Sequence, residues 1–197
     1  SMLFARSLEA LDRAQVNSAR IAVSEVVQDY FSADLERMLI PKFERLSVRS
    51  SLIPQVQKDF FESLCDIAIA PGLDDGGNSE VLPLLEEDYI AVCPKSLGAS
   101  PIEFASKRLS IPFLSYEEDS YDRRKTQKIL RLLSMPSSVS YQLENTRALA
   151  NAVSNGLGWT IVPPMSLWSV RECFDRLNFF SVEGVHEVKR LGIGARS

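Results

Sequence analysis

Residues able to do chemistry are sparse in this chain. Its 197 residues include one histidine, His186, so a Ser-His-Asp triad or a histidine-rich metal site would have to form around that single ring. The three cysteines, Cys65, Cys93 and Cys173, are far apart, odd in number, and form no Cys-x-x-Cys. Each sits in an apolar run and reads as a buried free thiol rather than a disulfide or zinc partner, a pattern that suits a reducing compartment. Arg123, Arg124, Lys125, Lys128 and Arg131 make the one dense basic run, which reads as a solvated helix face. No catalytic constellation, metal site or cofactor is implied, so the expectation is a protein that is not an enzyme.

What remains is a set of residues at strand ends. Ser24, Glu25 and Val26 follow the first apolar strand, and Ile53 with Pro54 follow the second. Farther along, Ser115, then Asn145 with Thr146, then Pro163 hold corresponding places. In open α/β sheets ligands bind beyond the carboxyl ends of parallel strands, where helix N-termini offer free N–H groups. Ser24, Asn145 and Thr146 are also good helix caps whatever else they do, and Ile53, Pro54 and Pro163 serve equally as packing or turn residues. The functional reading rests on their joint position.

The elements that must position them follow from periodicity. Arg20 to Val23 is a short apolar strand running into Ser24–Val27. The spacing of Leu35, Met38, Leu39 and Phe43 predicts a helix from about Asp34, with Pro41 kinking or ending it. Val48–Ile53 reads as a strand. Pro54 opens a helix in which Val56, Phe60, Phe61 and Leu64 repeat at helical spacing, and Asp66–Ala70 is a buried strand stopped by Pro71-Gly72. This β-α-β-α-β order implies a parallel sheet covered on both faces. Val81–Leu85 and Tyr89–Cys93 are two more strands, joined by a hairpin-like connection.

After a linker-like Pro94–Ser100 the rhythm restarts. Ile111–Leu114 is a strand; Asp122–Leu133 is a helix with Ile129, Leu132 and Leu133 on one side; Val139–Leu143 is a strand. A helix capped by Asn145 or Thr146 runs to Asn155, with Gly156 at its end. Trp159–Val162 is a strand, Met165–Phe174 a helix, and Leu177–Val182 and Val188–Ile193 are the last strands. The expectation is two α/β lobes: 19–94 plus 165–197 as lobe I and 95–164 as lobe II, with a ligand cleft at their interface. Residues 1–18 read as the end of a helix continuing from the N-terminal side, headed by Ser1-Met2 as a cloning scar.

Twenty-two Lys and Arg against 26 Asp and Glu give a net charge of −4, which opposes a broad basic face for nucleic acid. No apolar stretch approaches a membrane span, and no signal peptide opens the chain.

The segments Arg20–Ser24, Cys65–Ile69 and Leu84–Val92 occur in an order and spacing that resembles the effector-binding domain of LysR-type transcriptional regulators. So does Glu144-Asn145-Thr146, leading through Ala148, Leu149 and Val153 to Gly156-Leu157-Gly158 and Trp159–Pro163. The likeness covers about residues 19–194. It implies two Rossmann-like lobes in the type 2 periplasmic-binding-protein fold. It also implies a bacterial, cytoplasmic regulator that forms dimers or tetramers. Such a regulator binds a small-molecule effector in the cleft and reaches DNA only through an N-terminal helix-turn-helix, with residues 1–18 as the end of the linker helix. By position, the family's effector contacts fall on Ser24, Glu25, Val26, Ile53, Pro54, Ser115, Asn145, Thr146 and Pro163. The alternative is a solute-binding protein of the same fold.

No Arg or Lys lies within the strand-end loops, whereas Glu25, Glu117, Glu118 and Asp119 do. A carboxylate facing the ligand would favour an amine or a polyhydroxylated compound over a simple anion.

Overall fold

The computed structural model describes residues 17–74, 79–98, 111–135 and 141–196. The chain divides into two compact units, residues 1–86 with 190–197 and residues 87–189.

Unit 1 is built on the expected β-α-β-α-β run. Strand β1 (Ser18–Ser24) pairs in parallel with β2 (Arg45–Ser51) on one side and with β3 (Ile67–Pro71) on the other. Strands β10 (Val188–Arg196) and β4 (Ser79–Asp88) complete the order β2-β1-β3-β10-β4, with β10 antiparallel to β3. Helix α1 spans Glu25–Leu39 and α2 spans Ile53–Phe61. Ala22, Val56, Phe60, Cys65, Ala68 and Ala70 pack into one buried cluster between sheet and helix α2.

Several boundaries differ from expectation. Helix α1 begins at Glu25, nine residues earlier than Asp34, because Val26 and Val27 share its buried face with Leu35 and Leu39 instead of extending the strand. Pro41 does end the helix, lying in a single 3-10 turn at Ile40–Lys42. The helical repeat does not continue to Leu64: α2 stops at Phe61, Val56 and Phe60 fill its core side, and Phe61 and Leu64 are exposed. The hairpin between the fourth and fifth strands does not form. Strand β4 neighbours β10, whereas β5 (Ile90–Pro94) joins β8 (Thr160–Val162) and β9 (Leu177–Ser181) in another sheet, antiparallel to both.

That pairing also moves the lobe boundaries. The chain passes between units at Glu86/Glu87 and again at Lys189/Arg190, not near Pro94 and Pro163. Residues 87–94 and 165–189, assigned to lobe I from sequence, belong to unit 2 because β5 and β9 are hydrogen-bonded there. The linker helix expected over 1–18 lies outside the described residues except at 17 and 18, and Ser18 already belongs to β1.

In unit 2, β6 (Leu114–Tyr116) pairs in parallel with β7 (Tyr141–Leu143), and a parallel bridge at Phe113–Trp159 carries the arrangement on to β8. Helix α3 is Tyr121–Leu132 and α4 is Thr146–Ser154; Pro164–Arg176 is a 3-10 segment broken at Val170 rather than a regular helix. Two clusters form its core: Leu114, Tyr116, Leu149, Val153 and Val170 in one, and Tyr89, Phe113, Ile129, Trp159 and Ile161 in the other. All three cysteines are buried free thiols.

The Gly-x-Gly has two separate tasks. Gly156 ends α4 at φ +79°, in the left-handed region open to glycine. Gly158 lets the chain pass against β6: a Cβ there would lie 2.5 Å from the Pro112 carbonyl oxygen and 2.7 Å from Leu114. Neither backbone can give way without breaking the Trp159 N–H to Pro112 O hydrogen bond of 3.0 Å. Gly158→Ala is therefore expected to cost about 1–3 kcal/mol and to lower Tm by roughly 5 °C, read by thermal denaturation. Gly156→Ala, with open space around it, is the milder of the pair.

Candidate functional site

Each unit gathers its strand-end residues separately. In unit 1, Ser24 and Ser51 are register partners at the ends of β1 and β2, so the first turns of α1 and α2 start side by side. Glu25 and Val26 occupy the first turn of α1, and Ile53 and Pro54 the first turn of α2. Glu25 and Pro54 are exposed, Ile53 is half-buried and Val26 is buried. Ser24 is the N-cap of α1, yet its side chain makes no capping bond. It is 1% exposed, and its Oγ has no hydrogen-bond partner among the described residues. Buried hydroxyls are nearly always satisfied, so a lone one at a helix N-terminus marks a place where a ligand atom is expected.

In unit 2, the ends of β6 and β7 lie together. Asn145 caps α4 through Oδ1, which accepts from the Ala148 N–H at 3.0 Å, the capping role open to it from sequence. Thr146 Oγ1 and the Tyr116 hydroxyl are 2.7 Å apart. Glu117 N–H donates to the Leu143 carbonyl at 3.1 Å, tying the two loops. Ser115, expected to follow its strand, lies within β6 instead, because the strand is shifted to Leu114–Tyr116 and pairs Ser115 with Gln142; it is 1% exposed and its Oγ accepts from Arg123 at 2.7 Å. Pro163 follows β8 and is buried, its carbonyl accepting from Ser166 N–H at 3.2 Å in the turn that opens the 3-10 segment. Glu117, Glu118 and Asp119 are exposed, and His186 is exposed between β9 and β10.

The solvated basic face holds in part: Arg124, Lys128 and Arg131 are exposed, Lys125 is half-buried and Arg123 is buried. Helix α3 buries Asp122, Arg123, Thr126, Ile129 and Leu130, while Leu132, read on one side with Ile129, is exposed. Lys125 and Lys128 both pair with Glu187, at 3.1 and 2.5 Å. The error lies in treating a basic run as uniform: at 3.6 residues per turn, positions 122, 123, 126, 129 and 130 share one face.

Beneath that face lies a polar knot. Asp122 Oδ2 accepts from Lys189 Nζ at 3.0 Å and Asp122 Oδ1 from the Tyr89 hydroxyl at 2.6 Å. Lys189 is 2% exposed. It shares the parity of Leu191 and Ile193, so period-two alternation already places it inward. Burial, with Asp122 beside it, holds the Tyr89 phenol far above its usual range and keeps it a donor; burial likewise raises Tyr116. Glu87 Oε2 accepts from Met165 N–H at 2.7 Å, while Oε1 is buried without a partner among the described residues.

Two carboxyls carry opposite pH signatures. Desolvation raises Glu87 above its usual 4.5, outweighing the Met165 N–H and Lys189. The folded protein thus holds that proton more tightly than the unfolded chain, and stability falls as pH rises from about 4.5 through the folded value. Hydrogen bonds from Lys128 and Lys125 lower Glu187 below 4.5 despite its burial. Its contribution is present above about 4.5 and is lost as pH falls through the folded value. Glu87→Gln is expected to raise Tm at pH 7 and to lose that gain near pH 4; Glu187→Gln is expected to lower Tm at pH 7 and to converge on wild type in acid. Melts from pH 3.5 to 8 separate the two.

Two α/β units joined by two strand crossings, with polar groups and helix N-termini at the ends of parallel strands, define a ligand-sensing domain of the type 2 periplasmic-binding-protein class. The match of residues 13–172 to the family described as the LysR substrate binding domain makes the chain a member of that family. The fold is similar to the regulatory domain of OxyR2 from Vibrio vulnificus in its C206S form (TM-score 0.73, 14% identity, 92% of this chain and 88% of that one). It is similar also to the effector binding domain of QuiR in complex with shikimate (TM-score 0.68, 14% identity, 92% and 88%). A third likeness is to the CcmR regulatory domain of Synechocystis PCC6803 in complex with 2-PG (TM-score 0.69, 17% identity, 91% and 88%). No curated protein matches the chain significantly. No helix among the described residues is long and apolar enough to cross a membrane.

Proposed function

We propose that this domain senses a small-molecule effector through Ser24, Glu25, Val26, Ile53 and Pro54 of unit 1 and Ser115, Asn145, Thr146 and Pro163 of unit 2. The observation that carries the reading is Ser24. A hydroxyl 1% exposed, unpartnered among the described residues and set at the start of a 15-residue helix, is a poor solution for stability alone. It becomes a good one when a ligand oxygen or nitrogen completes it. Binding acts by population shift: the effector favours whichever arrangement it binds more tightly, and no covalent step is involved. DNA control is then exercised by a helix-turn-helix domain on the N-terminal side, in a cytoplasmic dimer or tetramer. Membership of the LysR family supports this over a periplasmic solute carrier and over an enzyme.

Thermal-shift and calorimetric screening against small carboxylates, amines, sugars, shikimate and 2-PG tests the reading. At least one compound is expected to raise Tm by several degrees. Ser24→Ala is expected to leave the ligand-free Tm unchanged or slightly higher, because no hydrogen bond to the described residues is lost, while weakening the ligand at least about tenfold. A Ser24→Ala domain that is destabilised without ligand and binds as tightly as the parent would assign Ser24 to packing.

A further inference from the structure

Arg123 has an unusual position for its charge. It is 7% exposed and sits in the first turn of α3, at the positive end of the helix dipole. Its partners are neutral: Nη1 donates to Ser115 Oγ at 2.7 Å and to the Tyr116 carbonyl at 2.8 Å. Nε and Nη2 meet the Gln127 side-chain oxygen at 2.9 and 3.1 Å once that amide is oriented toward them. No carboxylate among the described residues pairs with it; its neighbour Asp122 is committed to Lys189 and Tyr89. A buried cation hydrogen-bonded only to neutral groups leaves a positive field at Ser115.

The bond also fixes what Ser115 can do. Guanidinium has no acceptor, so Ser115 Oγ must accept, and its own proton points elsewhere. Among the described residues that proton has no acceptor. Ser115 is thus a hydroxyl donor polarised by a cation. We propose that Arg123 is a specificity-determining positioning residue, which makes Ser115 an obligate donor and selects an effector bearing a carboxylate or similar anionic oxygen. This rests on the reading of Ser115 as an effector contact, and it reverses the amine preference expected from the loop carboxylates. Because Ser115 is 1% exposed, the oxygen reaches it only as neighbouring side chains move aside, so binding selects a rearranged state.

The test uses three probes of one shape, benzoate, benzamide and benzylamine, together with the strongest stabiliser from the screen. Each is measured by calorimetry on the parent domain, Arg123→Gln, Ser115→Ala and, as a control on the exposed face of the same helix, Arg124→Gln. The arginine 15Nε–H resonance of Arg123 is followed on titration, which keeps the proposal testable should Arg123→Gln fail to fold. The expected result is preference for benzoate over benzylamine, a shift of the Arg123 resonance, at least tenfold weaker binding in Arg123→Gln and Ser115→Ala, and no change in Arg124→Gln. If the screen's strongest stabiliser is a cation or an uncharged compound, or keeps its affinity in both variants, the Arg123 proposal fails and the effector reading stands. If none of these compounds binds the parent, both fail.

Discussion

The buried Asp122–Lys189 pair, with the Tyr89 hydroxyl as its third member, is the constraint on which unit 2 depends. It joins helix α3 to the residue before β5 and to the head of β10, groups separated by 33 and 67 positions in sequence. Removing one partner of such a pair leaves a bare charge in a low-dielectric interior, typically at a cost of about 3–5 kcal/mol. The pair also fixes the rotation of α3 about its axis. With Asp122 turned inward, Arg123 must lie on the buried side as well, which places its guanidinium against β6.

Both passages of the chain between units are anchored in the same neighbourhood. Lys189 is the last residue of unit 2 on the return, and Glu87, the first on the way out, accepts from the Met165 N–H. The Glu87 carboxyl gains one good hydrogen bond and loses its hydration, a balance that burial wins. The polar interior of unit 2 is therefore organised around its two entry points rather than around its hydrophobic centre.

Much of this fold was legible in sequence. Runs such as Ile21–Val23 and Ile67–Ala70 are short, apolar and bounded, which signals strands buried on both faces, and Gly156 with Asn145 marked both ends of α4. Boundaries failed where local patterns were ambiguous. Val26-Val27 reads equally as strand or helix until Leu35 and Leu39 are placed on the same face. The supposed hairpin at Glu86–Asp88 failed because pairing between distant strands, β5 with β9 and β4 with β10, leaves no local trace. Of the site, the strand-end hydroxyls were visible but Arg123 was not, since it reaches Ser115 from a helix eight residues on. Its signal was the inward face it shares with Thr126 and Leu130.

The junction at residues 86 and 190 has a consequence for how the chain is put together. Glu86 Oε1 and Arg190 Nε meet at 2.5 Å, and their strands β4 and β10 are neighbours in one sheet. The point where the chain leaves unit 1 and the point where it returns are thus adjacent. Topologically, everything from Glu87 to Lys189 is an insert in a host whose two cut ends already touch, and a short turn from Glu86 to Arg190 would close that host into a single uninterrupted chain.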